Sequence, residues 1–263
     1  MEEKTVIIDN LEIHYKTAGS GPAILILHGW GASSSSWVRF LNSAITQEYK
    51  IIVPDLPGFG ESTMPLQPWE LNDYVDWVNS FCKKENLSQV LLLGHSFGGR
   101  VAIKFAAKYP ERLQGLILSD AAGISREKIF RIGFLLLSKF GKLLTALPIL
   151  NRFQGYFRKF LYFFLGQRDY FLAEGTMKET FKKIITEKLT AYLEEIKVST
   201  LVVWGEEDGV TPLKDAFLIN RKIKNSKLVV LSGVGHSPNL EVPQKLSEVI
   251  LNFLQGHIES GMY

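Results

Sequence analysis

Short apolar-rich runs, separated by turn residues, punctuate the chain. Residues 23–27, 51–53, 90–93, 116–118, 200–204 and 227–231 each form such a run. An apolar run of this length without alternation suits a strand buried on both faces. Residues 5–9 and 11–17 read as two further strands, turning at Asp9-Asn10 as an N-terminal hairpin. Between the runs the period changes. Residues 69–84 have helical spacing, with Leu71, Tyr74, Val75, Val78 and Phe81 on one side. Residues 100–108 and 240–254 read as helices too, and 33–36 as a loop leading to a helix near Trp37. Strands alternating with helices predict an α/β fold with a mostly parallel central sheet and helices on both faces. In such sheets ligands sit at the carboxyl ends of the strands.

Residues 121–195 break this rhythm and read as helices without a clear strand. The composition shifts as well. From 125 to 170 there are nine cationic side chains and two anionic ones, Glu127 and Asp169, for a net +7, which leaves the rest of the chain at −4. Phe130, Phe134, Phe153, Tyr156, Phe160 and Tyr170 are among its many aromatic residues. The expected organisation is therefore a core formed by residues 1–120 and 196–263, with residues 121–195 inserted as a helical cap. On a helical wheel, positions 128, 131, 135, 138, 139 and 142 share one face, and four of the six are basic. Phe130, Phe134, Leu137 and Leu144 lie opposite. That pattern predicts an amphipathic helix covering an apolar pocket. The sharper readings are a peripheral lipid contact or a dock for an acidic carrier protein.

Composition narrows the classes further. The chain has 263 residues, 46% hydrophobic, enough for one large α/β domain. A net charge of +3 does not argue for nucleic acid as a partner. The single cysteine, Cys82, excludes an internal disulfide and falls in a helical stretch where burial is expected. No stretch has the apolar length of a membrane span. The N-terminal residues lack a signal-peptide pattern, so the expected location is cytoplasmic. No Cys/His cluster has metal spacing and no Gly-x-Gly-x-x-Gly opens a helix, so neither a metal nor a cofactor is expected.

The chemistry centres on Gly94-His95-Ser96-Phe97-Gly98-Gly99, which follows the run at 90–93 and precedes the helix at 100–108. Gly-x-Ser-x-Gly in a strand–turn–helix context puts a serine hydroxyl clear of the sheet. A serine is a poor nucleophile unless a base lies within hydrogen-bond reach and a third group orients that base. His236 follows the run at 227–231, and Asp208 follows the run at 200–204. Both therefore share the sheet edge with Ser96. Asp120, Glu206 and Glu207 are rival acids, and Asp120 also reads as a cap at the start of the insertion. An oxyanion needs two backbone N–H donors. Phe97, after the serine, and Trp30, in the His28-Gly29-Trp30-Gly31 loop, are the candidates. His28 is expected to brace that loop, His95 to point elsewhere on the elbow, and His14 and His257 to lie at the surface. Asp55, beside Pro57, Gly58 and Gly60, reads as a brace for a turn.

These signatures resemble the α/β-hydrolase superfamily, in the branch with a short helical cap. The carriers are His28-Gly29-Trp30, Asp55-Leu56-Pro57-Gly58-Phe59-Gly60-Glu61-Ser62, the Ser96 elbow, Trp204-Gly205-Glu206-Glu207-Asp208 and Gly235-His236. The resemblance implies Ser96 as nucleophile, His236 as base and Asp208 as acid; the expected reaction is hydrolysis of carboxylic esters, and the apolar cap predicts a hydrophobic acyl or alcohol part. Related branches of the family hydrolyse lactones or cleave vinylogous diketones at a carbon–carbon bond, and the +7 charge of the cap adds esters of an acyl carrier protein as an alternative substrate class. An inactive ligand-binding homologue is the non-enzyme alternative.

Overall fold

The computed structural model describes residues 1–124 and 175–259. Among the described residues eight strands form one sheet: β1 (Glu2–Ile8), β2 (Leu11–Ala18), β3 (Ala23–Leu27), β4 (Lys50–Pro54), β5 (Val90–His95), β6 (Leu113–Ser119), β7 (Thr200–Gly205) and β8 (Ser226–Leu231). Their order across the sheet is β1-β2-β4-β3-β5-β6-β7-β8. The β1–β2 and β2–β4 pairs are antiparallel and every other pair is parallel. The predicted hairpin is present. Asp9 and Asn10 sit at φ 49° and 66°, the left-handed geometry that a two-residue hairpin turn requires. The outermost strand, β1, carries Glu2, Glu3 and Lys4 in exposed positions. Charges of this kind discourage edge-to-edge pairing.

Five helices of ten residues or more are described: α1 (Leu71–Lys84), α2 (Phe97–Lys108), α3 (Gly175–Thr186), α4 (Leu213–Lys222) and α5 (Pro243–Glu259). The central strands β3, β5 and β7 are buried at every position because both faces are covered. Leu25, Leu27, Leu92, Leu116, Leu118 and Val202 pack with α1, α2 and α4 on one face. Ile24, Ile26, Leu91, Leu93, Ile117, Leu201 and Val203 pack with α5 and the Trp37–Phe40 turn on the other. Helix α1 buries the predicted side, Leu71, Tyr74, Val75, Val78 and Phe81, together with Cys82. Burial pushes the Cys82 thiol up to about 12. At the start of α1 the Asp73 carboxylate accepts the Glu70 N–H at 2.6 Å.

Three local readings need correction. Residues 34–37 form a 3-10 turn rather than a loop. Helix α4 has no counterpart among the predicted elements; only Asp215, Ala216 and Ile219 of its ten residues are buried, a stripe too short to register as a period. His14 is a buried residue, 8% exposed, because the turn after β4 folds over it. There its Nδ1 lies 3.2 Å from Asp55 Oδ2. Of the predicted 121–195 insertion, residues 125–174, including the basic face at 128–142, lie outside the described residues. Helix α3 is described and packs on the core: Met177, Thr180 and Ile184 are buried, and Thr180 Oγ1 accepts the Trp69 N–H at 3.0 Å. Among the described residues no helix is long and apolar enough to cross a membrane.

Asp55 braces the turn after β4, as its neighbours predict. One carboxylate oxygen accepts the Ser34 N–H at 2.6 Å and the other accepts the Glu61 N–H at 2.9 Å. Burial raises its pKa, but these donors and the nearby His28 outweigh burial and hold it below the ordinary carboxylate value. A lowered carboxyl pKa stabilises the fold above the unfolded pKa of about 4, and that contribution is lost as pH falls through the folded value. Asp55→Asn is therefore expected to cost about 2 kcal/mol in urea unfolding at neutral pH. The deficit should shrink as the pH is lowered below about 4, where the wild-type carboxylate becomes protonated.

Candidate active site

The order β4-β3-β5 makes β3 the point where the chain's winding reverses. The connection after β3 leaves towards one face and α2, after β5, towards the other, which opens a crevice at the carboxyl ends of these two strands. Ser96 occupies the turn from β5 into α2. Its backbone has φ 52° and ψ −112°, a conformation that costs a non-glycine residue of order 1–3 kcal/mol. Neighbouring main chain holds it there. The Ser96 N–H donates to Ser119 O at 3.1 Å, and Ser96 O accepts the Ala122 N–H at 3.0 Å. The Gly98 N–H donates to His28 O at 3.1 Å. A Cβ on Gly98 would stand 2.0 Å from Leu27 O, so only glycine lets the elbow approach β3 this closely.

The hydroxyl of Ser96 lies 3.0 Å from His236 Nε2, and His236 Nδ1 lies 2.8 Å from Asp208 Oδ2. The structure thus brings together three side chains that lie 112 and 28 residues apart, from the ends of β5, β7 and β8. Asp208 is fixed from several sides. Its Oδ1 accepts the N–H groups of Val210 at 2.6 Å and Thr211 at 2.9 Å, and its Oδ2 accepts the Thr211 hydroxyl. Burial raises the Asp208 pKa, but the hydrogen bonds from His236 and Thr211 more than reverse this, so it lies below the ordinary value. An ionised Asp208 requires the Nδ1–H tautomer of His236, which leaves Nε2 free to accept the Ser96 proton. The His236 loop is clasped by Glu241, whose carboxylate accepts the N–H groups of Gly235 at 2.8 Å and Ser237 at 3.0 Å.

Two other histidines serve as neutral props. His28 Nε2 accepts the Leu56 N–H at 2.9 Å while Nδ1–H donates to Gly29 O at 2.8 Å, which ties the loop after β3 to the turn after β4. Burial pushes its pKa down to about 4. His95 Nε2–H donates to the His236 carbonyl at 2.8 Å. Burial, then the neighbouring His236, pushes the His95 pKa down to about 3. His95 thus supports the loop that carries His236, where the sequence placed it elsewhere on the elbow.

Gly29 comes so near the elbow that a Cβ there would lie 3.4 Å from Ser96 Cβ. The Trp30 and Phe97 N–H groups make no hydrogen bond within the described residues. Phe97 opens α2, where N–H groups lack intrahelical partners. The Trp30 ring meets Phe59 at 4.8 Å, Phe97 at 5.3 Å and Phe181 of α3 at 4.9 Å between centroids. Tyr74 adds an edge contact to Phe97 at 5.1 Å. The surroundings of the serine are therefore aromatic.

Among the described residues the Asp120 carboxyl reaches across to β7 rather than capping the start of the insertion. Asp120 follows β6 with φ 48°, is fully buried, and its Oδ1 accepts the Gly205 N–H at 2.9 Å. Burial, then the charge on Asp208, pushes its pKa up to about 8. Glu206 lies outside the triad and accepts the Ser232 hydroxyl at 2.6 Å. Asp120, Asp208 and His236 offer side-chain atoms within 4.8 Å of one another, but the nearest of these atoms on Asp208 and His236 are already hydrogen-bonded to each other. Sequence reasoning missed Thr211, although an Asp followed by turn residues is the pattern that accepts N–H groups two and three residues on.

Against known proteins, the profile of the family described as alpha/beta hydrolase fold matches residues 22–181. Lipase 1 of Psychrobacter immobilis is 28% identical over 241 residues, covering 84% of this chain and 73% of that protein. The 2-hydroxy-6-oxo-6-phenylhexa-2,4-dienoate hydrolase of Comamonas testosteroni is 28% identical over 268 residues, covering 92% and 91%. A solved structure of a bacterial membrane phospholipase A has a TM-score of 0.74 and 29% identity, covering 97% of this chain and 86% of that one.

Because the elbow and β3 touch through main chain, Gly98→Ala is expected to destabilise the fold by about 2–3 kcal/mol. The urea midpoint measures this, and an unchanged midpoint would contradict the packing argument.

Proposed function

The chain belongs to the α/β-hydrolase family, and on that premise we propose that it hydrolyses carboxylic esters with hydrophobic acyl parts. The observation that carries this reading is the continuous hydrogen-bonded relay from Ser96 through His236 to Asp208, at 3.0 and 2.8 Å. In this reading Ser96 Oγ attacks the ester carbonyl as His236 Nε2 takes its proton. The Trp30 and Phe97 N–H groups hold the oxyanion. The tetrahedral adduct collapses, His236 protonates the departing alcohol, and an acyl-enzyme remains on Ser96. Water, deprotonated by His236, then releases the acid and restores the serine.

The rings of Trp30, Phe59, Phe97 and Phe181 support an apolar acyl group. The likeness to a lipase and to a membrane phospholipase A supports ester substrates. Residues 121–195, which follow β6, are read as a cap over this pocket, with α3 as its described base. A second reading, carbon–carbon hydrolysis of a ring-opened aromatic compound, is favoured by the likeness to the dienoate hydrolase across nearly the whole chain.

A chain-length series of p-nitrophenyl esters, run beside a lactone and a ring-opened dienoate, separates these readings. Activity is expected to rise from acetate to the medium acyl chains. Faster turnover of the dienoate than of every ester would favour the second reading. A serine-directed phosphonate should label Ser96, and Ser96→Ala should lower kcat by a factor of at least about 10³. Labelling at another residue refutes the assignment. Phe181→Ala should weaken kcat/KM for medium-chain esters about tenfold, the cost of one lost aromatic contact, while sparing acetate.

A further inference from the structure

Two carboxyl groups are buried side by side behind His236, and the relay uses only one of them. Asp208, after β7, already accepts hydrogen bonds from two backbone N–H groups, the Thr211 hydroxyl and His236. Asp120, after β6, is fully buried and has a carboxyl oxygen within 4.8 Å of side-chain atoms of both Asp208 and His236. Its backbone is locked independently of its charge. The Asp120 N–H donates to Val203 O at 3.1 Å, and the Thr211 hydroxyl contacts Asp120 O at 3.2 Å. Among the described residues, Asp208 from the loop after β7 and His236 from the loop after β8 are the titratable groups set against it, and His95 ends β5 opposite the neighbouring Ser119. Burial keeps His95 neutral. Asp208 already engages His236. Two anions sharing this site would repel each other in a poorly solvated environment.

We infer that Asp120 is a positioning residue that works as a neutral carboxylic acid, presenting its O–H to Asp208 and so orienting the carboxylate that holds His236. The chemistry of the neighbours fits this assignment. Asp208 is surrounded by donors and behaves as the ionised partner. Asp120 meets the Gly205 N–H at one oxygen and the Ser119 hydroxyl, 2.9 Å away, at the other. Its pKa near 8 means that the proton is held through neutral pH and released just above it. Once it leaves, a second anion stands beside Asp208, and the orientation of His236 loses one of its supports. A raised carboxyl pKa also stabilises the fold fully below about 4, and that stabilisation fades as pH rises through the folded value. This role rests on the serine-hydrolase reading above for its kinetic readout.

The test compares wild type, Asp120→Asn and Asp120→Ala on p-nitrophenyl butyrate from about pH 6 to about pH 10. Asparagine supplies a neutral N–H donor in place of the acid O–H, whereas alanine supplies none. Wild-type kcat is expected to decline as pH rises through about 8. Asp120→Asn should lose that decline and keep kcat within about fivefold of wild type at neutral pH. Asp120→Ala should lower kcat about 10- to 100-fold across the range with KM within about twofold. The same alkaline decline in Asp120→Asn, or equal impairment of both variants, overturns the inference. An infrared difference spectrum of wild type against Asp120→Asn needs neither activity nor the alanine variant. At neutral pH it should show one protonated carboxyl stretch that disappears above about 8. A carboxylate band alone at neutral pH overturns the assignment. Failure of every ester as substrate would count against the proposed function and leave the infrared result to decide the state of Asp120.

Discussion

Everything at the carboxyl edge of the sheet depends on how closely the elbow after β5 lies against the end of β3. The contact is main chain on main chain, with Gly98 set against Leu27 and its N–H bonded to His28 O. It fixes where the Ser96 hydroxyl stands relative to the loop that carries Trp30. It also imposes the unfavourable φ of Ser96, which no local preference would choose. The strain persists because hydrogen bonds to Ser119 and Ala122 determine the same backbone from β6. Three adjacent strands thus hold one serine in place.

The polar groups around that serine divide by their degree of solvation. His28 and His95 are buried deeply enough to stay neutral, and each uses both character and shape as a hydrogen-bonding strut. His236 is partly exposed and retains a carboxylate partner. One fold therefore uses the same side chain as scaffold and as candidate base, and burial decides which. The carboxylates divide in the same way. Asp55 and Asp208 collect backbone donors and stay ionised, whereas Asp120 has too few to offset its burial and its anionic neighbour.

Much of this was legible in the chain. The strands announced themselves because both faces of the sheet are covered, so β3, β5 and β7 are apolar at successive positions. The elbow was legible because its glycines answer to backbone collisions rather than to packing taste. The hairpin at Asp9-Asn10 was legible because few residues tolerate that geometry. What escaped notice depended on contacts across the sheet. His14 read as a surface residue because nothing local reveals that the turn after β4 covers it. Asp120 and Asp208 become neighbours only because β6 and β7 pair in parallel, with Ser119 opposite Val203. The periodic signal of α4 was too short. The aromatic and basic stretch at 128–142 was conspicuous in composition, and its place in the fold lies outside the described residues.

The burial of Cys82 has a practical corollary. It is the chain's one cysteine, it lies on the inward side of α1, and its thiol resists ionisation. Thiolate is the species that alkylating reagents and oxidants attack. The native protein is therefore expected to react slowly with maleimides. A cysteine introduced on the surface, for instance on α3, whose Phe181 meets the Trp30 ring, would be the sole readily reactive thiol, so a fluorophore could report movement there without removing any native residue.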